Sequence, residues 1–115
     1  MSLLNDSYDL IISLLEDAGL PVVDDVRNLR PPAVIVDPPG ITPLSASLVQ
    51  INFSVTCVAP PPGNRDSMKK VLELADVIIA LPGLVTTGGV SGVYNVGNQD
   101  LPSYNLTITT TARRP

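Results

Sequence analysis

Adjacent carboxylates are the first residues of this sequence that could take part in chemistry. Asp24 and Asp25 are neighbours, and on a strand neighbouring side chains point to opposite faces, so they form a poor acid/base pair. Glu16 and Asp17 fall at the end of a predicted helix, where we expect solvated side chains. The sequence contains no histidine, the commonest general base and metal ligand. We therefore predict no enzyme activity, no catalytic residue, no metal and no cofactor.

Two glycine-containing segments are candidates for holding a phosphate group. The segment 88–92 lacks the Gly-Lys-Ser/Thr ending of a phosphate-binding loop, and no helical pattern follows it. The segment 63–67 opens a predicted helix after a strand, and helix N-termini attract anions. Arg65 and Ser67 favour an anion there, whereas Asp66 repels one. An anion site at the start of this helix remains an alternative, in which the chain is a small ligand-binding or enzymatic domain.

The single cysteine, Cys57, excludes an internal disulfide and a zinc cluster of cysteines. It falls on the apolar side of a predicted strand. Reactive thiols need an exposed, electropositive setting, so we expect Cys57 to pack as a small hydrophobic side chain.

Length and composition restrict the class of protein. A chain of 115 residues predicts a single domain, residues 1–115. Its hydrophobic share of 44% is typical of globular proteins, and a net charge of −4 provides no positive field to grip nucleic acid. The first residues lack the basic segment of a signal peptide, and no apolar run approaches the ~20 residues of a membrane span. We expect a soluble protein made inside the cell, without a membrane contact.

Hydrophobic periodicity predicts the elements that position these residues. Helical spacing predicts one helix over 3–18, stopped by Gly19, and a second over about 65–81. Alternation predicts a long strand over 47–59 with one apolar and one wetter face. A shorter strand is expected over 33–37 and a weaker one over 21–27.

The remaining segments predict one loop and one hairpin. Residues 41–46, with a proline inside, suggest an irregular loop. Residues 85–112 suggest a hairpin whose glycines allow bulges. The economical arrangement is an α+β fold: a single mixed β-sheet of about four or five strands with two helices packed on one face. The long strand is expected at its centre, with Val71, Leu72 and Ile78 packed on its apolar face. The predicted apolar stripe of the second helix comprises Met68, Val71, Leu72, Ala75, Ile78 and Ile79.

The order of these elements along the chain and their residue composition resemble those of a known family of assembly proteins. The resemblance is carried by the opening helix ending at Ala18–Pro21, the proline-bounded strand of 31–39, the strand Val49–Ala59, the helical segment Ser67–Asp76 and the threonine-rich closing strand. Together they resemble the tail terminator, or tail completion, proteins of long-tailed bacteriophages, of the type found in phages of actinobacteria.

This resemblance implies a structural role in the virion. Such a protein forms a ring, usually a homohexamer, on the last ring of the tail tube, at the head-proximal end of the tail. It ends tube polymerisation and joins the tail to the head, with the tail-tube protein and a head-completion or connector protein as partners. DNA passes through the lumen without specific binding, and assembly takes place in the host cytoplasm. A head–tail connector or another minor tail protein remains an alternative.

A closed ring needs two different surfaces on each subunit, and the sequence offers candidates for them. Leu10 and Leu14 lie off the main apolar stripe of the first helix; they widen its buried face or form a second face that meets another subunit. The other candidate interface residues are acidic (Asp24 and Asp25), basic (Arg27, Arg30, Arg113 and Arg114) or part of the glycine-rich hairpin (Thr86, Val90 and Tyr94).

Overall fold

The described part of the chain folds into two helices and six strands. A computed structural model describes residues 3–23, 32–59, 65–82, 84–96 and 99–113. In chain order the elements are α1 (Leu3–Asp17), β1 (Val22–Val23), β2 (Ala33–Val36), β3 (Gly40–Pro43), β4 (Leu48–Val58), α2 (Arg65–Ile79), β5 (Val85–Val96) and β6 (Gln99–Arg113).

The strands form one mixed sheet in the order β1-β2-β4-β6-β5. β1 pairs with β2 in parallel, and the other pairs are antiparallel. One edge of β4 pairs with β6 along its whole length, whereas the opposite edge is shared by β2 and β3. The α+β prediction with a central long strand is confirmed, with six strands instead of four or five.

The additional strand is β3, in a segment predicted to be a loop. Residues 37–39 lie across from only two residues of β4, so the β2–β3 edge bulges at its two adjacent prolines. The backbone N–H of Asp37 still donates to the Ser54 carbonyl, at 3.0 Å. Pro43 can lie in β3 because an edge strand does not need every N–H for pairing. Pairing with β4 therefore overrode the local signal of the proline.

Helix α1 ends where its sequence predicts. Gly19 has a φ of +85°, the left-handed conformation that glycine adopts most readily. The Gly19 N–H donates to the Glu16 carbonyl at 2.9 Å, and the Leu20 N–H donates to the Leu15 carbonyl at 3.2 Å. This pair of bonds is the Schellman motif, which satisfies carbonyls that the helix end leaves unpaired.

The main core lies between the two helices and one face of the sheet. Along β4, the buried side chains on this face are Val49, Ile51, Phe53, Val55 and Cys57. They pack with Ile11 and Leu15 of α1 and with Val71 and Ile78 of α2. Both helices thus cover the same face, as predicted.

The buried stripe of α2 differs in part from the predicted one. Leu72 and Ile79, expected in the stripe, are 43% and 52% exposed, and Leu74 is buried instead. The buried positions of α2 are Ser67, Val71, Leu74, Ala75 and Ile78. Because α2 has apolar residues on two sides, its sequence is compatible with two apolar stripes. Packing on the sheet buries the stripe that contains Leu74 and leaves Leu72 and Ile79 exposed.

A second, smaller apolar cluster lies on the other face of the sheet. Ile35, Val58 and Leu101 are buried there, and the half-buried Tyr94 packs against them. Val58 was expected on the wetter face of the long strand but is fully buried. The reason is the β5–β6 hairpin, whose Leu101 and Tyr94 meet Val58 across strands.

The β5–β6 hairpin spans Val85 to Arg113, as predicted from the sequence, and it extends past β4. The ladder between β5 and β6 runs from Val85–Thr109 to Val96–Gln99, with a bulge between Thr86 and Gly88. Pairing of β6 with β4 stops at Ser103, so the tip of the hairpin projects beyond the central strand. The molecule accordingly measures 48 × 26 × 23 Å.

Candidate interaction surfaces

The face of the sheet opposite the helices carries a broad row of uncharged polar side chains, which we call the open face. Its members are Thr42, Gln50, Asn52, Ser54, Thr56, Thr87, Asn105, Thr107, Thr109 and Thr111. They share one face because alternate residues of a strand point the same way and directly paired residues project together. Arg113 lies at the end of the same row, opposite Leu48.

Asn105 joins the two central strands across the open face. Its Nδ2 donates to the Ser54 Oγ at 2.7 Å and to the Thr56 Oγ1 at 2.9 Å. Both bonds link residues about fifty positions apart in the sequence. The amide thereby satisfies the hydroxyl of Thr56, which is only 8% exposed.

A second set of hydrogen bonds, centred on Asn52, extends this network to the outer strands. Asn52 Nδ2 donates to the Thr42 Oγ1 at 3.1 Å, and its Oδ1 accepts from Gln50 Nε2 at 3.1 Å. Thr109 Oγ1 donates to the same Oδ1 at 3.4 Å and lies 3.3 Å from the Thr87 Oγ1. Most of the neutral polar side chains of the open face are therefore hydrogen-bonded to one another. Covering such a surface with protein costs less free energy than burying charges.

Strand β5 forms one outer edge of the sheet and carries exposed apolar side chains. Val85, Val90 and Val93 are 62%, 64% and 66% exposed. The strand contains no charged residue and no proline. The predicted interface residue Val90 is therefore on the surface, at the middle of this edge.

The other two candidate interface residues of the hairpin, Thr86 and Tyr94, are less exposed than Val90. Tyr94 is half-buried in the second apolar cluster, where it helps to hold the hairpin on the sheet. Thr86 is half-buried opposite Ile108, and its Oγ1 is buried without a hydrogen-bond partner in the structure. Both side chains therefore pack within the protein and offer little surface to another subunit.

The two candidate leucines of α1 line one groove. Leu10 and Leu14 border a cavity of about 200 Å³ together with Phe53, Leu84 and Ala112. Leu14 is half-buried, so it widens the buried face of the helix. Leu10 is 61% exposed and forms a second face at the mouth of the groove.

The charged candidates are placed only in part. Asp24, Asp25, Arg27, Arg30 and Arg114 lie outside the described residues. Arg113 is exposed at the last position of β6. The acidic and basic patches expected from the sequence therefore stay predictions.

The candidates for chemistry are described only in part: Glu16 and Asp17 are exposed, as expected, and Asp24 and Asp25 lie outside the described residues. Cys57 is fully buried, and burial raises the pKa of its thiol to about 12, as expected for a packed side chain rather than a nucleophile. At the start of α2, Arg65 and Asp66 are exposed, but the Ser67 side chain is buried; Gly63 and Asn64 lie outside the described residues. Within the described ranges, no group of three or more acidic, histidine or cysteine side chains is placed to hold a metal.

The sequence predicted a wetter face for the long strand, but the open face was not among the candidate interaction surfaces. Its signal was present: Gln, Asn, Ser and Thr occupy one parity of β4, and Asn and Thr occupy one parity of β6. What the sequence did not show is that the polar row of β6 lies directly beside that of β4, because this depends on the pairing of two strands far apart in the chain. Neither helix of the described chain has the length and apolar character needed to cross a bilayer.

Comparison with known proteins adds no assignment. No protein-family model matches the sequence, and no curated protein is significantly similar to it. A function for this chain must therefore be argued from its surfaces and from the resemblance in element order described above.

Proposed function

We propose that the protein is a structural component of a bacteriophage virion that forms a ring on the tail tube. The ring, a homohexamer by the resemblance in element order, sits at the head-proximal end of the tail. It ends polymerisation of the tube and provides the surface to which the head-completion or connector protein binds. Assembly takes place in the host cytoplasm.

The observation that supports this role best is the open face. No described helix covers this face of the sheet, and its side chains are neutral and for the most part hydrogen-bonded to one another, which suits contact with another protein surface. An assembly part needs such surfaces more than it needs reactive groups. The exposed valines of β5 add apolar area beside it.

Passage of DNA through a ring of this protein is compatible with its charge. Binding of DNA depends on Lys and Arg that neutralise phosphates, and the chain carries a net charge of −4. The open face contributes hydroxyls and amides but, apart from Arg113 at its end, no cation among the described residues. Such a subunit would not retain a polyanion that moves past it.

A non-enzymatic role follows from the same proposal. The thiol of Cys57 is buried, so it is not placed to act as a nucleophile. The alternative anion site would depend on Arg65 with the carboxylate of Asp66 beside it, which weakens the attraction of an anion.

Substitutions on the open face test the proposal in a phage that carries the gene. Thr107 and Thr111 are exposed members of the face, so Thr107→Glu with Thr111→Glu adds two charges without opening the core. We expect folded protein and full heads, but tails of irregular or excessive length, or tails that fail to join heads. Electron microscopy of lysates measures the tail lengths.

A matched control places the same charges on the helix side. Leu72 and Val77 of α2 are 43% and 39% exposed, and Leu72→Glu with Val77→Glu should leave tails normal. Melting curves of both purified variants verify folding. Normal, infectious particles from the folded open-face variant would contradict the proposed use of this face.

A further inference from the structure

The free edge of β5 lacks the features by which sheet edges are kept from pairing with other chains. Such edges are usually short, charged, interrupted by proline or strongly bulged. β5 is twelve residues long with neither charge nor proline, and its single irregularity lies near its start, between Thr86 and Gly88. Among the described strands, only β6 pairs with it.

The opposite edge of the same sheet is protected. β1 has two residues and β3 has four, and the β2–β3 edge is interrupted by Pro38 and Pro39 and ends at Pro43. One edge of the sheet is thus protected against pairing, whereas the β5 edge is not. This difference favours a role for the β5 edge in pairing with a strand of another chain.

We propose that two copies of the free protein pair through their β5 strands, antiparallel, about a two-fold axis near Val90. A two-fold axis makes identical strands antiparallel, and the same edge is presented by both copies. Val90 and Ser91 are the two middle residues of β5, so pairing along the whole strand brings the middle of one copy to the middle of the other. The strand is neutral, so no like charges oppose each other across the axis.

The exposed valines contribute the apolar part of this contact. Val90 is 64% exposed and lies at the axis, where it meets the same segment of the second copy. Val85 is 62% exposed and lies at the end of the strand, opposite the far end of its counterpart. Pairing thus covers surface that is otherwise apolar and in water.

The size of the contact predicts a weak dimer. Twelve residues of strand measure ~40 Å, which at ~10 Å thickness covers roughly 400 Å² per copy, about half of a standard interface. We therefore expect a pair that dissociates on dilution. It shields the edge in the free protein and still releases it to other contacts. This inference does not depend on the proposed role in a phage tail.

Cysteine crosslinking tests the pairing. Val90→Cys should give disulfide-linked dimers with a mild oxidant at high protein concentration, because residue 90 faces its own counterpart across the axis. Antiparallel neighbours lie ~4.5–5.5 Å apart, within reach of a disulfide. The native Cys57 is fully buried and does not compete. The matched control is Val85→Cys, which is equally exposed but would lie ~30 Å or more from its counterpart.

We expect crosslinking at Val90 at least tenfold above that at Val85. We also expect Val90→Lys to abolish the concentration-dependent dimer in sedimentation while the melting curve stays that of a folded protein. Equal crosslinking at Val85 and Val90, or a monomer at all concentrations, would overturn the proposal. Preferential crosslinking of Val90→Cys to Thr42→Cys on β3 of a second copy would overturn it in favour of head-to-tail pairing.

Discussion

Phe53 is the residue on which the main core depends most. It is the largest fully buried side chain and lies at the centre of β4, facing both helices. We expect Phe53→Ala to lower the free energy of unfolding by roughly 3–5 kcal/mol, because both burial and packing are lost. Such a loss is a large part of the ~5–15 kcal/mol that stabilises a small domain.

Urea denaturation measures this loss directly. Leu72→Ala on the exposed side of α2 serves as the control and should change stability by only ~0.5 kcal/mol. A melting temperature lowered by a degree or two in Phe53→Ala would mean that β4 is not central to the core.

Cys57 makes stability depend on pH in the alkaline range. Burial raises the pKa of its thiol from 9.0 to about 12. Between these values the unfolded chain releases the proton and the folded chain keeps it, so the free energy of unfolding falls as pH rises. We expect Cys57→Ala to show a shallower fall between pH 9 and pH 12 than the wild type, and equal slopes would contradict the burial of the thiol.

A thiol reagent gives a second view of the same residue. At pH 8 the native protein should react far more slowly than the urea-unfolded protein, since only the thiolate is nucleophilic. Rapid modification of the native protein would show that the strand opens readily.

At the scale of the elements, Gly89 fixes how closely β5 approaches β6. A Cβ at this position would lie 2.7 Å from the Tyr104 Cε1 and 3.0 Å from the Leu106 Cδ2. We expect Gly89→Ala to destabilise the protein by about 1–3 kcal/mol through overpacking. Gly88→Ala is the matched control, because a Cβ there meets open space. Thermal unfolding of the two variants compares them, and equal melting temperatures would exclude the close approach.

The elements also show what periodicity predicts and where it fails. The alternation of apolar and polar residues predicts β4, because only one face of this strand is buried in the main core. Gly19 predicts the end of α1, because the left-handed conformation there favours glycine. β3 was missed because its proline suggested a loop, whereas the pairing that forms it depends on a distant strand. In α2, the stripe was wrong at Leu72 and Ile79 because local spacing cannot choose between two apolar flanks.

At the scale of the molecule, the fold class could be predicted, but the surfaces could be predicted only in part. Val90 was identified as a surface candidate, and it is exposed. Tyr94 was a candidate as part of the glycine-rich hairpin, but its side chain is half-buried against the apolar cluster of Ile35, Val58 and Leu101. The open face was not named as a candidate surface because it arises from the pairing of β4 with β6, which aligns two polar rows that are far apart in the sequence.

The central claim, that this protein ends tail-tube polymerisation, is tested most directly by tail length. Deleting the gene from the phage that carries it, and measuring tails in lysates by electron microscopy, compares the length distribution with that of the wild type. The account predicts full heads beside unattached tails whose lengths are irregular or excessive, with normal length and joining restored by the gene supplied in trans. Tails of normal, uniform length attached to heads in the deletion phage would contradict it.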